Sequence, residues 1–405
     1  MDKKYSINEF FSNLIDFTSG CTEPAAIAYN ASIAGDYLKN KVNKCVVKID
    51  SLTYKNAYLV GIPNAKGYKG SKWAYLFGYL IAEPSLKLEI FKEMKKEKIE
   101  KAEKFLEEVD FNIEIVEKPY LYIETEAESP DNRISVVTTK EHTNIKVYIN
   151  EEIDRRKPIE KEEVELQYPA EWFDHDNWED LVERIYSSNN DAIKKFKTGI
   201  NYNLEAAEKG DKYINFTEDY GVAGAVYSRM NGDDIPVMSC AKSGNKGLTS
   251  VIPVVKKAQK LKVSEAKKVK SAILSCFIAG IISEKFGTVS SICGCVYAAA
   301  VGVIAGSLYL ENKLDLFFDS FQNYISSTAG VFCDGAKGSC AMKTSNSVLF
   351  ADKAISFAKN GFVVSFEDGY LGNSFVDTLE NLKSYNKYFK KFDKKTIQIL
   401  NNKKL

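Results

Sequence analysis

Residues 332–343 read Phe-Cys-Asp-Gly-Ala-Lys-Gly-Ser-Cys-Ala-Met-Lys, and they constrain the fold more than any other stretch of the chain. The thiols of Cys333 and Cys340 flank a loop that contains two glycines. Glycine lets the backbone curl so that both sulfurs point at one centre, as thiolate ligation of iron or zinc demands. We therefore predict a metal site here, whose third thiol must come from elsewhere in the chain.

The nearest source of a third thiol is Cys293-Gly294-Cys295, roughly forty residues upstream. A remote third ligand is normal for a metal site that tertiary folding assembles. Residues two apart on a helix point to different sides, so one of the two cysteines is expected to reach the metal. Helical periodicity does not decide which one.

Length and composition indicate the class of protein. The chain has 405 residues, enough for two domains with a large core, and 55 basic residues balance 55 acidic ones. This balance argues against nucleic acid or an acidic membrane as the main partner, so a small molecule is the expected substrate. The start of the chain lacks an export signal, which predicts a cytoplasmic protein whose eight cysteines are free or metal-bound. A homodimer is compatible with the sequence, which does not specify the oligomeric state.

Residues 287–310 carry no charge and include the spacing Gly302-x-x-x-Gly306. Such a segment resembles a membrane span. It stands alone, however, and it is rich in Ala, Ser and Cys, while the mean hydropathy of the chain is below zero. We therefore predict a buried central helix that neighbours approach closely through its small side chains.

Hydrophobic patterning changes twice along the chain. Residues 7–39 are predicted to be helical, with Thr22, Glu23 and Pro24 marking a helix start. Strand-type patterning follows in five segments: residues 46–49, 111–116, 121–125, 134–137 and 145–149. Residues 89–109 read as charged surface helices. After a charged link at 151–165, the chain reads almost entirely as helices, including residues 264–285 and 346–359.

These patterns predict an α+β protein. We expect a mostly helical catalytic domain, formed by residues 1–42 together with 155–405. A smaller α/β domain, residues 43–154, is expected to be inserted between the two parts. No internal repeat is visible in the sequence.

A second chemical feature is Gly20-Cys21-Thr22-Glu23-Pro24, where a cysteine stands just ahead of a predicted helix start. The positive end of a helix dipole stabilises a thiolate, so Cys21 is the thiol best suited to act as a base or nucleophile. The alternative interpretation, a small side chain packed in a helix-entry turn, is at least as common for a cysteine in this position.

A third feature is Ser243-Gly244-Asn245-Lys246-Gly247, a tight loop near a helix start. Its backbone donors, amide and hydroxyls suit an amino-acid carboxylate, although ordinary turns have the same composition. Of the two histidines, His142 ahead of a strand is a candidate substrate contact. His175 is expected to be a solvated loop residue.

Six short motifs, spread over most of the chain, occur in an order and spacing that resemble those of a known protein family. Two are specific: Gly20-Cys21-Thr22-Glu23-Pro24 and Cys333-Asp334-Gly335-Ala336-Lys337-x-x-Cys340. Four others reinforce them: Gly61-Ile62-Pro63, His142-Thr143, Ser243-Gly244-Asn245-x-Gly247 and Cys293-Gly294-Cys295. Together they resemble the L-cysteine desulfidase family, whose members are related to the iron–sulfur L-serine dehydratases.

The resemblance implies an oxygen-sensitive [4Fe-4S] cluster held by Cys293, Cys333 and Cys340, with one iron left open for substrate. Cys295 is the competitor for the first of these positions. The implied reaction is elimination of hydrogen sulfide from L-cysteine, which gives aminoacrylate and then pyruvate and ammonia. The resemblance also implies that Cys21 is the base that removes the α-proton. Substrate binding would fall to Thr22, His142, Ser243 and Asn245. Three cysteines match no role and are expected to be small buried residues: Cys45, Cys240 and Cys276.

The chain departs from the family pattern at several points. Lys246 stands where relatives carry Gln, residues 64–70 are unusual, and the end beyond 361 matches poorly. L-serine or another β-substituted amino acid is therefore an alternative substrate. Other interpretations are a pyridoxal-phosphate lyase with Lys246 or Lys337 as Schiff-base lysine, a structural zinc protein, and a noncatalytic scaffold with buried cysteines.

Overall fold

The computed structural model describes residues 6–39, 42–65, 67–150, 168–188, 190–287 and 290–403. Their helices are α1 Ile7–Leu14, α2 Thr22–Leu38, α3 Ser51–Ala57, α4 Gly70–Ile81, α5 Lys96–Glu108, α6 Trp178–Ser188, α7 Asn190–Gly210, α8 Val222–Asn231, α9 Gly244–Lys260, α10 Glu265–Phe286, α11 Ala300–Glu311, α12 Phe317–Thr328, α13 Cys340–Lys359 and α14 Phe375–Asn401. Their strands are β1 Ile15–Ser19, β2 Lys44–Asp50, β3 Asp110–Val116, β4 Tyr122–Glu128, β5 Arg133–Thr139, β6 Ile145–Ile149 and β7 Pro236–Cys240. The predicted α+β class is confirmed.

Five strands form a mixed sheet in the order β3-β2-β4-β5-β6. The β2–β3 pair is parallel and the other pairs are antiparallel. Each of the five segments that strand-type patterning marked lies on one of these strands, so those predictions are confirmed. Strand β2 buries Cys45, Val47 and Ile49 on one face, which is the alternation expected when one side of a sheet meets a core.

The prediction that residues 7–39 are helical is wrong at Ile15–Ser19, which form β1. This strand pairs antiparallel with β7, from Ile15 opposite Cys240 to Ser19 opposite Pro236. The amide of Ala241 extends the ladder by donating to Leu14 O at 2.9 Å. A partner strand more than two hundred residues away supplies these hydrogen bonds, so tertiary pairing overrides the local helical pattern.

Polar side chains fix where several helices begin. Ser6 and Glu9 form a capping box at α1, because each side chain bonds to the backbone amide of the other. Ser264 caps α10 by accepting from Lys267 N at 3.2 Å. The predicted helix at 264–285 is thereby confirmed, since α10 begins at the next residue.

The buried side chains form three clusters. The largest packs α1 with helices of the second half of the chain, including α6, α10, α11 and α12. The second packs α2, α4 and α5 against the five-stranded sheet. The third is smaller and joins the start of α2 to α8, α9 and α13. Helix α2 thus packs on the sheet, and the domain boundaries stay a prediction, since residue 154 and the whole link at 151–165 lie outside the described residues.

The charge-free segment behaves as predicted over residues 290–310. It enters a π-helical turn at Cys295–Ala299 and continues as α11, whose side chains are almost all buried among other helices. No helix in the described ranges is both long enough and apolar enough to cross a membrane.

The crossing of α2 and α4 is so close that it predicts a stability effect. A Cβ on Gly78 would lie 2.1 Å from Ala28 O, a distance that no backbone tolerates. Gly78→Ala should therefore lower the free energy of unfolding by about 2 kcal/mol, as overpacking of a core does. Chemical denaturation followed by circular dichroism measures it.

Gly330→Ala is the matched control, because a Cβ there meets nothing within 4 Å. It should change the free energy of unfolding by less than about 0.5 kcal/mol. Equal effects of the two substitutions would contradict the close helix crossing.

Candidate active site

Two backbone hydrogen bonds place Cys293 beside Cys333. The amide of Cys293 donates to Val331 O at 2.8 Å, and the amide of Cys333 donates to Ser291 O at 2.8 Å. These reciprocal bonds form a short antiparallel bridge between the two segments. The fold thereby brings the upstream cysteine motif to the loop that needs a third thiol.

Cys340 is the first residue of α13 and closes the same loop. Its amide donates to Lys337 O at 2.9 Å, and its sulfur lies 3.6 Å from Gly335 O. Gly335 has φ +97°, and a Cβ there would lie 2.1 Å from Lys55 O. The positive φ and the close contact with Lys55 O both require glycine at position 335, so the loop turns back on itself as predicted.

The three thiols influence one another. Burial raises the pKa of Cys340 to about 12, and Cys293 and Cys333 act in the same direction. Burial also raises the pKa of Cys333, where Cys293 adds to the effect and the Lys55 ammonium opposes it. The sulfurs of Cys293, Cys333 and Cys340 therefore lie within electrostatic reach of each other.

Cys295 begins the π-helical turn and is not one of these three thiols. The neighbouring Cys295 thiol, followed by burial, raises the pKa of Cys293. Cys293, unlike Cys295, is a main influence on the pKa of both Cys333 and Cys340. This difference favours Cys293 as the member of the pair that completes a ligand set.

The spacing of the sulfurs bears on which metal they fit. A Zn–S bond of about 2.3 Å puts the sulfurs of a tetrahedral site about 3.8 Å apart. Among the described residues, the group of three potential ligands gathered within 4.8 Å is Asp174, His175 and Asp176, an exposed local cluster. Cys293, Cys333 and Cys340 do not form such a group, so at least two of their sulfurs lie more than 4.8 Å apart.

Four lysines surround the thiols: Lys55, Lys246, Lys337 and Lys343. The amino group of Lys55 donates to Cys333 O at 2.8 Å, and that of Lys343 donates to Phe332 O at 2.9 Å. Burial lowers the pKa of Lys337, against the opposing influence of Asp334 and the thiols. Positive charge at these positions offsets the charge of three thiolates in a buried place.

Lys246, the departure from the family pattern, contacts the upstream cysteine motif. Its amino group donates to Ser283 Oγ at 3.0 Å. Its Cδ lies 3.4 Å from where a Cβ on Gly294 would stand. Burial lowers the pKa of Lys246, and the thiols of Cys240 and Cys295 oppose this. Lys246 therefore packs against the upstream cysteine motif at residues 293–295.

Cys21 is the N-cap of α2, just ahead of the helix as its sequence position indicated. Its thiol donates to Glu23 Oε2 at 2.9 Å, and Asn56 Nδ2 donates to Glu23 Oε1 at 3.0 Å. Burial raises the pKa of Glu23, but His142 and the hydrogen bonds from Cys21 and Asn56 outweigh it and hold the pKa below the usual value. Glu23 is therefore ionised at neutral pH.

The expectation of a thiolate at Cys21 is wrong for this structure. Burial raises the pKa of Cys21 well above that of a free thiol, the Glu23 carboxylate adds to the effect, and Arg229 opposes it. The negative charge of Glu23 and burial away from water raise the pKa of Cys21 more than the partial positive charge of a helix start lowers it. Cys21 is thus a protonated thiol that donates a hydrogen bond to the Glu23 carboxylate.

The Ser243 loop begins α9, as predicted. Ser243 caps the helix by accepting from Lys246 N at 3.4 Å. Asn245 is buried, and its Oδ1 accepts from Arg229 Nη1 at 2.8 Å. A Cβ on Gly244 would lie 2.6 Å from the guanidinium carbon of Arg229, so glycine lets the guanidinium reach this loop.

Arg229 links the two substrate-side motifs, and the sequence motifs did not identify it. Its Nη2 donates to Gly20 O, next to Cys21, while its Nη1 holds Asn245. The side chain is 3% exposed, and its Nε has no hydrogen-bond partner among the described residues. A signal was available, since this chain has only five arginines and Arg229 lies in an apolar helix.

A buried guanidinium normally pairs with a carboxylate, because an uncompensated charge is costly to bury. Both hydrogen-bond acceptors of Arg229 among the described residues are neutral amide or carbonyl oxygens. None of the described carboxylates forms an ion pair with it. Arg229 therefore has an unused capacity to bind an anion between the Gly20 and Ser243 loops.

His142 lies in the loop between β5 and β6, close to Glu23. Burial lowers the pKa of His142, while the Glu23 carboxylate opposes the shift. Its Nε2 is buried and has no hydrogen-bond partner among the described residues. Thr22 is half-buried and follows Cys21 as the first residue of α2. His175, by contrast, is partly exposed and 3.4 Å from Asp176, in agreement with the predicted solvated position.

Cys21 and Cys340 belong to one packed group of side chains. The third buried cluster contains Cys21, Val226 and Leu248, and Cys340 packs against it. The start of α2 and the start of α13 therefore border the same cluster, to which α8 and α9 also contribute. The remaining cysteines, Cys45, Cys240 and Cys276, are fully buried, as predicted.

A family model described as "Serine dehydratase alpha chain" matches residues 85–398. The match covers more than half of the chain and includes the Ser243 loop and all the cysteines of the thiol site. The chain therefore belongs to the serine dehydratase alpha chain family. This relationship confirms the predicted link to L-serine dehydratases at the level of the family.

Within that family, the chain is similar along its length to bacterial proteins named UPF0597 protein. The protein from Elusimicrobium minutum (strain Pei191) is 30% identical over 399 residues, which cover 93% of this chain and 94% of the relative. The protein from Clostridium tetani (strain Massachusetts / E88) is 31% identical over 407 residues, 94% of each chain. The protein from Nautilia profundicola (strain ATCC BAA-1463 / DSM 18972 / AmH) is 30% identical over 417 residues.

The Cys21–Glu23 contact predicts a pH dependence. A pKa above that of a free thiol keeps the proton on Cys21 through neutral pH. Glu23→Gln removes the negative charge that helps to raise this pKa, so the pKa of Cys21 should fall. Thiolate ultraviolet absorbance, recorded against pH for each protein minus its Cys21→Ser counterpart, measures the change.

Glu171→Gln, which alters an exposed carboxylate near Arg184, is the control and should leave the titration of Cys21 unchanged. An unshifted titration in Glu23→Gln would show that the carboxylate has no part in setting the acidity of Cys21.

Proposed function

We propose that this chain is a [4Fe-4S]-dependent β-elimination lyase for a small L-amino acid, with L-cysteine as the substrate. The products would be hydrogen sulfide and aminoacrylate, which hydrolyses to pyruvate and ammonia. One observation carries the proposal: the Cys293 thiol acts on the pKa of both Cys333 and Cys340, and the buried Arg229, whose acceptors among the described residues are neutral oxygens, bonds to the Gly20 carbonyl beside Cys21. These residues would supply the metal ligands, an anion anchor and a proton acceptor.

Cys293, Cys333 and Cys340 are the residues that would hold the cluster. Their spacing exceeds that of a single zinc ion, and lysines surround them. When bound, such a cluster supplies a Lewis acid that makes the substrate sulfur an acceptable leaving group.

Arg229 would anchor the substrate carboxylate. Its guanidinium can form a paired interaction with two carboxylate oxygens, which restricts how the amino acid lies in the site. Asn245 is held by the same guanidinium, and Ser243 stands at the N-terminus of α9, where backbone amides favour an anion. These groups would orient the α-hydrogen of the substrate.

Cys21 would remove the α-proton, with Glu23 accepting the thiol proton beforehand. The Arg229 charge favours the thiolate, whereas burial and the Glu23 carboxylate oppose it, so the resting pair is a thiol and a carboxylate. The C–H electrons then form the carbon–carbon double bond, and the bond to the β-sulfur breaks with its electrons on sulfur. His142, with its unpaired Nε2, would accept a hydrogen bond from the substrate amine.

L-Serine is the second candidate substrate, because the family model is that of the serine dehydratase alpha chain. The same residues would orient it, and the leaving group would be hydroxide instead of sulfide. The two substrates differ only in the atom bonded to the β-carbon, sulfur or oxygen, so the residues that hold the carboxylate and amine do not distinguish them.

The test is anaerobic reconstitution with iron and sulfide, followed by assays with L-cysteine and with L-serine. We expect brown protein that bleaches in air and releases sulfide and pyruvate in equal amounts from L-cysteine. Pyruvate from L-serine alone would support the second candidate. Protein that takes up no iron would refute the proposal.

Cysteine substitutions should separate the metal ligands from the base. Cys21→Ala should keep iron and visible absorbance but lower kcat by about 100-fold or more, the usual contribution of a general base. Cys333→Ala should lose iron, absorbance and turnover together. Cys45→Ala, which alters a buried cysteine of the sheet, should keep all three.

His142→Asn identifies the base if the role of Cys21 is wrong. Turnover that survives Cys21→Ala and disappears in His142→Asn would assign proton removal to the imidazole.

Arg229 gives a prediction about substrate affinity. Arg229→Lys keeps the positive charge but cannot make the paired contact, so kcat/KM for L-cysteine should fall by about 30-fold or more. Inhibition by cysteamine, which lacks the carboxylate, should be little affected. Arg184→Lys, which alters an exposed arginine, is the control. An equal loss of affinity for cysteamine would mean that Arg229 does not bind the carboxylate.

A further inference from the structure

The last helix of the chain reaches the thiol loop. Asp393 of α14 lies 2.6 Å from the amino group of Lys55 of α3, and both side chains are buried. The same amino group donates to Cys333 O at 2.8 Å. The Phe332 ring also stacks on Phe392 of α14, with centroids 4.1 Å apart.

Ser291 connects Asp393 back to Cys333 through two further hydrogen bonds. Its hydroxyl donates to the second carboxylate oxygen of Asp393. Its carbonyl accepts the amide of Cys333 at 2.8 Å. The carbonyl and the amide of Cys333 are therefore both tied, through Lys55 and Ser291, to one buried carboxylate. We call these three side chains the Lys55–Asp393–Ser291 network.

Stability alone is a weak reason for such an ion pair. Desolvating two charges costs about as much as their attraction returns, and apolar side chains of similar size often serve equally well. Lys55 is 0% exposed, so the full free-energy cost of removing its charge from water applies. What an apolar pair cannot do is donate a directed hydrogen bond to the carbonyl of Cys333 and accept one from Ser291.

We propose that the Lys55–Asp393–Ser291 network positions Cys333 as a metal ligand, and that α14 thereby belongs to the metal site. The proposal rests on the proposed function in one respect, the role of Cys333 as a ligand. Lys55 and Asp393 are positioning residues: Lys55 donates a hydrogen bond to the Cys333 carbonyl, and Asp393 accepts hydrogen bonds from Lys55 and from the Ser291 hydroxyl. No substrate contact is assigned to them.

The test uses the double variant Lys55→Met/Asp393→Leu, which removes both charges together and so leaves no unpaired charge buried. The control is Lys257→Met/Asp352→Leu, which removes another ion pair of 2.6 Å, between α9 and α13. Both variants are made in the full chain, and circular dichroism checks that each is folded.

Hydrogen exchange of the metal-free chain is the first measurement. Peptides covering residues 331–337 should exchange about tenfold faster in the Lys55/Asp393 variant, because a charge-assisted hydrogen bond is lost there. They should be unchanged in the control, and peptides of β2 should be unchanged in both. Unchanged exchange at 331–337, or equally faster exchange in β2, would overturn the proposal.

Iron loss from reconstituted protein to a chelator is the second measurement. It should be about tenfold faster in the Lys55/Asp393 variant than in wild type or control. Equal rates would overturn the positioning role. Wild-type protein that takes up no iron would refute the proposed function instead, and the exchange measurement would still decide whether the network fixes the Cys333 segment.

Discussion

The short antiparallel bridge between residues 291–293 and 331–333 is the constraint on which the site depends. It consists of two backbone hydrogen bonds, each 2.8 Å long, and it puts Cys293 opposite Val331 and Cys333 opposite Ser291, so that both cysteines are on the same face of the bridge. Backbone bonds position a ligand without using its side chain, so both thiols stay free to bind. The glycine conformation at Gly335 then turns the chain so that Cys340 closes the set at the start of α13.

Charge is distributed unevenly around this bridge. Lysines lie on the thiol side, where Lys55 is paired with Asp393, and a carboxylate and a guanidinium lie on the substrate side. Glu23 has hydrogen-bond donors for both of its oxygens, whereas Arg229 has only neutral acceptors. Buried charges are tolerated where they are compensated, so Arg229, whose charge is uncompensated among the described residues, is the group that would bind the carboxylate of the proposed substrate.

Local sequence predicted the regular parts of the fold well. Runs of strand-forming residues mark the five sheet strands, and α10 has a serine cap, so both signals lie within a few residues of the element. Strand β1 was missed because its partner β7 is distant in the chain, and its hydrogen bonds exist only after both segments fold. The acidity of Cys21 was misjudged for a related reason: position at a helix start is local, whereas burial is not.

The sequence by itself determined the chemical inventory: a glycine loop with two thiols, a separate cysteine motif, and a cysteine and a serine loop ahead of helices. These follow from residue type and spacing, which folding does not change. The tertiary structure decided which groups meet. It brought Arg229 between Gly20 and Asn245, favoured Cys293 over Cys295 as the partner of the loop thiols, and connected Asp393 to the Cys333 segment. Such contacts join residues up to hundreds of positions apart, and hydrogen bonding and desolvation depend on distance in space, which spacing along the chain does not encode.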